Sequence, residues 1–133
     1  MNSALVRQVR QRARDCCEYC QIPQDYDYPG FEIDHIIPRK HGGTAVSRNL
    51  ALSCFWCNSF KGTDLAGLDP TTQKLTPLFN PRRHKWSRHF RWDGPLLSGL
   101  TPMGRVTISV LHINDPYRAT LRANLIDQGV FPP

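Results

Sequence analysis

Two Cys-x-x-Cys pairs, Cys17-Glu18-Tyr19-Cys20 and Cys54-Phe55-Trp56-Cys57, constrain this chain more than any other feature. Each pair places two thiolates on one turn. Two such turns complete the four-sulfur tetrahedron that Zn²⁺ takes in structural sites. The gap between Cys20 and Cys54 is long for a simple finger and leaves room for a pair of strands. Cys16 is the spare, read as a packing residue or a free thiol.

An odd count of 5 Cys does not suit a secreted disulfide scaffold. The first residues carry Arg7, Arg10, Arg12 and Arg14 where a signal peptide would have an apolar stretch. No run approaches the roughly 20 apolar residues of a membrane span. The expectation is a cytoplasmic protein with no membrane partner, in which paired thiols bind metal. With 133 residues the chain is one domain, or one domain with an extension. Its 17 Lys and Arg against 11 Asp and Glu give a net charge of +6, and Arg suits bidentate phosphate contacts. That balance points to a polyanion, nucleic acid first.

Leu5, Val9 and Ala13 make one apolar stripe of a helix over residues 3–15, while Arg7, Arg10 and Arg14 share another face. A turn-rich segment follows the first Cys pair and ends at Tyr28-Pro29-Gly30. Phe31 to Pro38 reads as a strand, which sends Asp34 and His35 to opposite faces. After a polar loop with Gly42-Gly43, Asn49 to Ser53 reads as a second strand, and Phe55 to about Leu65 as a helix. Strand, loop, strand, helix is a ββα unit.

Within that unit four side chains suggest chemistry. Asp34 offers a hard anionic oxygen and Asn58 a hard neutral one, a pair suited to Mg²⁺ or Mn²⁺. His35 titrates near neutrality and can take a proton from water. Asn49 can hydrogen-bond either the loop or the imidazole. Water activated by His35 and a phosphate polarised by a divalent ion amount to phosphodiester hydrolysis.

Asp34-His35-Ile36-Ile37-Pro38, Gly42-Gly43, Asn49-Leu50 and Cys54-x-x-Cys57-Asn58-x-x-Lys61-Gly62 occur in that order. Together they resemble the HNH endonuclease family, and the preceding Cys17-Glu18-Tyr19-Cys20 resembles its four-cysteine subset. The resemblance covers about residues 12–62. It implies a ββα-metal core, here with a four-cysteine zinc site; with the N-terminal helix and an α/β C-terminal extension the whole chain is expected to be α+β. It also implies His35 as general base, Asp34 and Asn58 as holders of the catalytic ion, and Asn49 as the residue orienting the first strand and loop. The family usually cuts DNA, leaving 5′-phosphate and 3′-hydroxyl ends, with one metal stabilising the leaving oxygen. Asn58 in the third motif position makes this an HNN version.

Lys61, three residues after Asn58, and Arg39, just past the first strand, are candidate phosphate contacts. The core is expected over residues 1–68 and an extension packed on it over 69–133. In the extension, Asp69 to Thr72 reads as a turn and Leu75 to Asn80 as irregular because of Pro77 and Pro81. Residues 77–92 interleave basic and aromatic side chains. Trp86, Phe90 and Trp92 are expected to pack on the core, and some of Arg82, Arg83, Lys85 and Arg88 to contact DNA. The Leu78-Phe79-Asn80-Pro81-Arg82 segment is similar to an extension on a subset of small bacterial members of the family. Thr101-Pro102 and Asp115-Pro116 each read as a helix cap followed by Pro at the first helical position. The apolar positions of those last helices close a core or mediate a homodimer. The expected function is metal-dependent DNA cleavage of one or two strands; the alternative is a zinc-ribbon nucleic-acid-binding module without catalysis.

Overall fold

The computed structural model describes residues 1–26 and 30–133. The turn read at Tyr28-Pro29 lies outside the described residues. The chain forms two compact units, Met1–Thr63 and Asp64–Pro132.

In the first unit, helix α1 (Ser3–Ala13) starts where the Asn2 side chain accepts the Leu5 N–H at 2.8 Å. It stops where Arg14 and Asp15 turn left-handed, both at φ 55°. Its apolar stripe lies where the spacing predicts: Val9 is fully buried against Leu50 and Leu52, with Leu5, Ala13, Phe31 and Ile33 around them. Burying a side chain of this size contributes roughly 1.5–3 kcal/mol. Part of the basic helix surface is used internally. Arg12 donates to Ser47 Oγ (2.9 Å), Ser47 O (3.1 Å) and Leu50 O (2.7 Å), and Arg10 donates to Gln24 Oε1.

Strands β1 (Phe31–His35) and β2 (Leu50–Cys54) pair antiparallel, with Asp34 opposite Ala51 and His35 opposite Leu50. β1 ends three residues before the sequence-based boundary. Past His35 the ladder gives way to a single bond from Ile36 N–H to Asn49 O (2.8 Å), and Pro38 has no N–H to offer. The loop then makes 3-10 turns at Arg39–His41 and Ser47–Asn49. Gly43 is required there, because a Cβ would sit 1.6 Å from Ile37 O and 2.9 Å from Asn49 Nδ2. All five residues of β2 are buried: Leu50 and Leu52 meet α1, and the alternate residues face the other way.

Helix α2 (Phe55–Lys61) packs on both strands and completes the ββα unit. It ends at Gly62, with φ 50° and ψ −125°, which an L side chain rarely adopts, so it stops short of the expected Leu65.

The second unit starts with a hairpin the sequence reading missed in part. β3 (Ala66–Leu68) pairs with β4 (Leu75–Pro77), a segment expected to be irregular. Pro77 is tolerated because it ends a two-stranded edge. The expected turn is present: the Asp69 carboxylate accepts the N–H groups of Thr71 and Thr72 and the Thr72 hydroxyl. Arg105 grips the same carboxylate with Nε (3.0 Å) and Nη2 (2.8 Å).

Helix α3 (Trp86–His89) leads into the hairpin of β5 (Phe90–Asp93) and β6 (Leu96–Gly99). Helices α4 (Pro102–Val110) and α5 (Pro116–Asp127) follow, capped by Thr101 and Asp115 with Pro at N1, and Gly129 at φ 74° lies past the end of α5. Val106, Ile113 and Leu125 are buried in this unit. Trp86 packs on Phe90 (5.1 Å) and Trp92 (6.1 Å), and Trp92 on Phe131 (5.0 Å). These aromatics therefore pack among themselves within the second unit. The Asn80-Pro81-Arg82 segment is a local device: Asn80 Oδ1 accepts the Arg82 N–H, and its own N–H goes to His84 Nδ1.

Candidate active site and zinc-binding knot

The four thiols of Cys17, Cys20, Cys54 and Cys57 are buried, and their sulfur atoms all lie within 4.8 Å of one another. Cys20 Sγ and Cys54 Sγ are 3.7 Å apart. Zn–S bonds of about 2.3 Å in a tetrahedron separate sulfurs by roughly 3.8 Å, so the cluster fits Zn²⁺. Each turn also directs a main-chain N–H at its first sulfur: Cys20 N to Cys17 Sγ (3.5 Å) and Cys57 N to Cys54 Sγ (3.3 Å). Hydrogen bonding among the thiols and burial push Cys54 well up, and burial does the same to Cys57. A dication is what makes thiolates favourable in such a place. Cys16 stands outside the cluster, half-buried, its thiol raised by burial and by Cys17.

The two residues inside the first knuckle each hold one strand. Glu18 exchanges bonds with Leu52 of β2: its N–H goes to Leu52 O (2.9 Å), and its Oε2 accepts the Leu52 N–H (2.8 Å). Tyr19, buried, donates its hydroxyl to Asp34 Oδ2 at 2.7 Å. Sequence reasoning passed over both. The available signal was that a Tyr confined between two zinc-spaced thiols has to bury its ring, and a buried hydroxyl needs an acceptor.

Asp34 is 4 % exposed and already occupied. Besides Tyr19 it meets Lys61 Nζ at 3.2 Å (Oδ1) and 3.1 Å (Oδ2). Burial raises its pKa, and Lys61 and Tyr19 oppose that rise. Lys61 is not on the surface, contrary to its expected place as a phosphate contact. It is 2 % exposed, and its ammonium also donates to His35 O and Ile36 O, both at 3.1 Å. An ammonium has three donors, and all three are used inside the protein.

His35 is half-buried on the opposite face of β1 from Asp34. Its Nε2 is shielded from solvent and has no hydrogen-bond partner among the described residues. Burial, then the Arg39 charge, lowers its pKa; Asp34 works the other way. The Asn49 carboxamide is bonded to the loop and not to the imidazole. It accepts Ile37 N–H (2.9 Å) and donates to Ile37 O and Thr44 O (both 3.0 Å). Asn58, half-buried, lies in α2 directly after Cys57, one turn before Lys61. Arg39 is exposed at the start of the loop.

In the second unit Arg83, Lys85 and Arg88 are exposed and Arg82 is half-buried. Arg118 and Arg122 are buried instead, donating to the carbonyls of Leu111, His112, Pro95 and Ile113. Among the described residues no helix is long and apolar enough to cross a membrane.

Residues 17–64, which contain both thiol pairs and the whole ββα unit, match the family model "HNH endonuclease". This segment is an HNH domain. The chain is also similar to the Septu protein PtuB of Bacillus thuringiensis, 32% identical over 100 residues, which is 74% of this chain and 36% of that protein. The chain thus spans about a third of that relative's length. No solved structure matches it. The chain has a mixed α+β fold that contains this HNH domain and a four-cysteine cluster consistent with a zinc site.

Proposed function

We propose that this chain is a metal-dependent DNA endonuclease with His35 as general base, acting beside a Mg²⁺ or Mn²⁺ ion held by Asn58 and Asp34. The observation that carries the reading is the His35 Nε2 atom, shielded and without a partner among the described residues. A buried polar atom without a partner is costly, and such exceptions mark functional positions. Burial and the Arg39 charge lower the imidazole pKa from its ordinary value, which favours the neutral form that accepts a proton from a water molecule. That water's oxygen attacks phosphorus, and the bond to the 3′ oxygen breaks. A carboxylate has about four lone-pair directions, so Tyr19 and Lys61 leave capacity on Asp34. An ion held there supplies charge stabilisation to the leaving oxygen. Exposed Arg39, Arg83, Lys85 and Arg88 supply phosphate affinity that falls steeply with salt.

The alternative, a zinc-bound nucleic-acid module without catalysis, draws on the Asp34–Lys61 ion pair, since that pair gives Asp34 a place in the fold that needs no ion. The deciding experiment compares wild type with His35→Ala on supercoiled plasmid, at equal zinc content, with and without Mg²⁺ or Mn²⁺. Loss of a general base costs about 10²–10⁴-fold in rate. Ion-dependent nicking that falls by that factor supports the endonuclease. Plasmid binding without nicking under either ion sinks it.

A further inference from the structure

Three side chains, those of Lys61, Tyr19 and Asn49, converge on the segment around His35, and none of them bonds the imidazole. Lys61 Nζ binds the Asp34 carboxylate and the carbonyls of His35 and Ile36. Tyr19 Oη closes on Asp34 from the Cys17–Cys20 turn. Asn49 fixes Ile37, two residues further along, by both its N–H and its carbonyl. The main chain from Asp34 to Ile37 is thus gripped from α2, from the thiol cluster and from the loop, and His35 lies inside that grip.

We propose that Lys61 is a positioning residue: together with Tyr19 it ties helix α2 and the zinc-binding knuckle to the end of β1, and so fixes His35. The proposal rests on the endonuclease reading for its catalytic consequence but not for its structural one. Three features support it over a phosphate-binding role. Lys61 is 2 % exposed, so its ammonium is out of reach of a backbone phosphate. Two of its three acceptors are main-chain carbonyls at the strand end, His35 in the last ladder pair and Ile36 just past it. Its carboxylate partner is held in turn by a residue flanked by two thiols of the cluster. A catalytic group set by a rigid scaffold gains from reduced freedom in its supporting residues.

Lys61→Met keeps the length and most of the volume of the side chain and removes every donor. The full chain is loaded with zinc, its zinc content and thermal unfolding are checked, and two readouts are taken. The first is amide hydrogen exchange. Exchange at Ile36 and Ile37 is expected to accelerate about tenfold or more, while Val9 and Leu52 stay within about twofold, because opening is local. The second is plasmid nicking: kcat is expected to fall about tenfold or more with KM within about threefold, the pattern of an interaction that matters in the transition state. Tyr19→Phe removes one oxygen from the same chain of contacts and must give the same pattern at smaller amplitude. It decides the matter if Lys61→Met does not fold. Unchanged exchange at Ile36 and Ile37 in a folded variant overturns the proposal, as does a rise in KM with kcat intact, which marks a phosphate contact. Should wild type not nick at all, the endonuclease reading fails while the exchange result still judges the positioning role.

Discussion

The Asn49 side chain pairs with the main chain of Ile37 as a second strand would, accepting its N–H at 2.9 Å and donating to its carbonyl at 3.0 Å. A carboxamide carries its acceptor and its donor on two adjacent atoms, so it can take the N–H and the C=O of one residue together. The pairing extends the hairpin beyond its last ladder bond and places the His35 segment against the loop.

Asn49→Ala is therefore expected to destabilise the HNH domain by about 1–3 kcal/mol, the sum of three modest hydrogen bonds. Asn49→Asp keeps the acceptor but turns an oxygen toward Ile37 O, and should lose at least as much. Denaturant unfolding at fixed zinc measures both. An Asn49→Ala domain as stable as wild type would show that the loop holds itself.

Four buried thiols within 4.8 Å of one another make metal release a folding event. Cys54→Ser should lower bound zinc from one per chain to near zero and loosen residues 17–54. Cys16→Ser should change neither, since Cys16 is outside the cluster. Zinc content by atomic emission checks both variants. Unchanged stoichiometry in Cys54→Ser would refute the four-thiolate site.

In the second unit the Arg105 fork, with help from Thr72 and Thr71, holds the Asp69 carboxyl well below the usual carboxylate range. The sign follows from linkage. The unfolded chain takes up a proton near pH 4 and the folded chain only at lower pH, so the stabilisation is complete above that pH and is lost as the pH falls below it. Arg105→Ala should lower the unfolding midpoint at pH 7 and flatten its acid dependence below pH 4. An acid limb as steep as that of wild type counts against the fork as its source.

Much of this was readable from residue order. Each thiol pair, the ββα succession and the caps at Thr101 and Asp115 are local signals, written in neighbouring residues. Lys61 is buried for a reason that its position in the helix contains. Three residues after Asn58 on a helix means the same face, and that face packs on β1, so Lys61 had to be buried or bent away. Charge usually marks surface, and that hides the buried place of Lys61 from the sequence. Arg118 and Arg122 escaped for the same reason, since nothing in a sequence marks which cations donate to main-chain carbonyls. Of the β3–β4 hairpin only the turn is legible, because two three-residue strands, the second ending in Pro77, carry almost no period-2 signal.

His35 yields the most direct solution test. Its imidazole is lowered first by burial and then by the positive charge of Arg39, with Lys61 adding to it and Asp34 opposing. On the endonuclease reading a general base must be unprotonated, so the rate should climb with pH through its pKa, and a lowered pKa should extend activity into mildly acidic solution. The acid limb of kcat/KM is thus expected below the ordinary histidine value of about 6.5. Arg39→Ala should move that limb upward, toward the ordinary value, and imidazole NMR titration should follow it. Stability follows the same linkage: below about pH 6.5 the unfolded chain binds the proton first, so this histidine's contribution fades as pH falls. An acid limb at or above the ordinary value in wild type, or one that Arg39→Ala leaves in place, would separate the rate-limiting proton from His35.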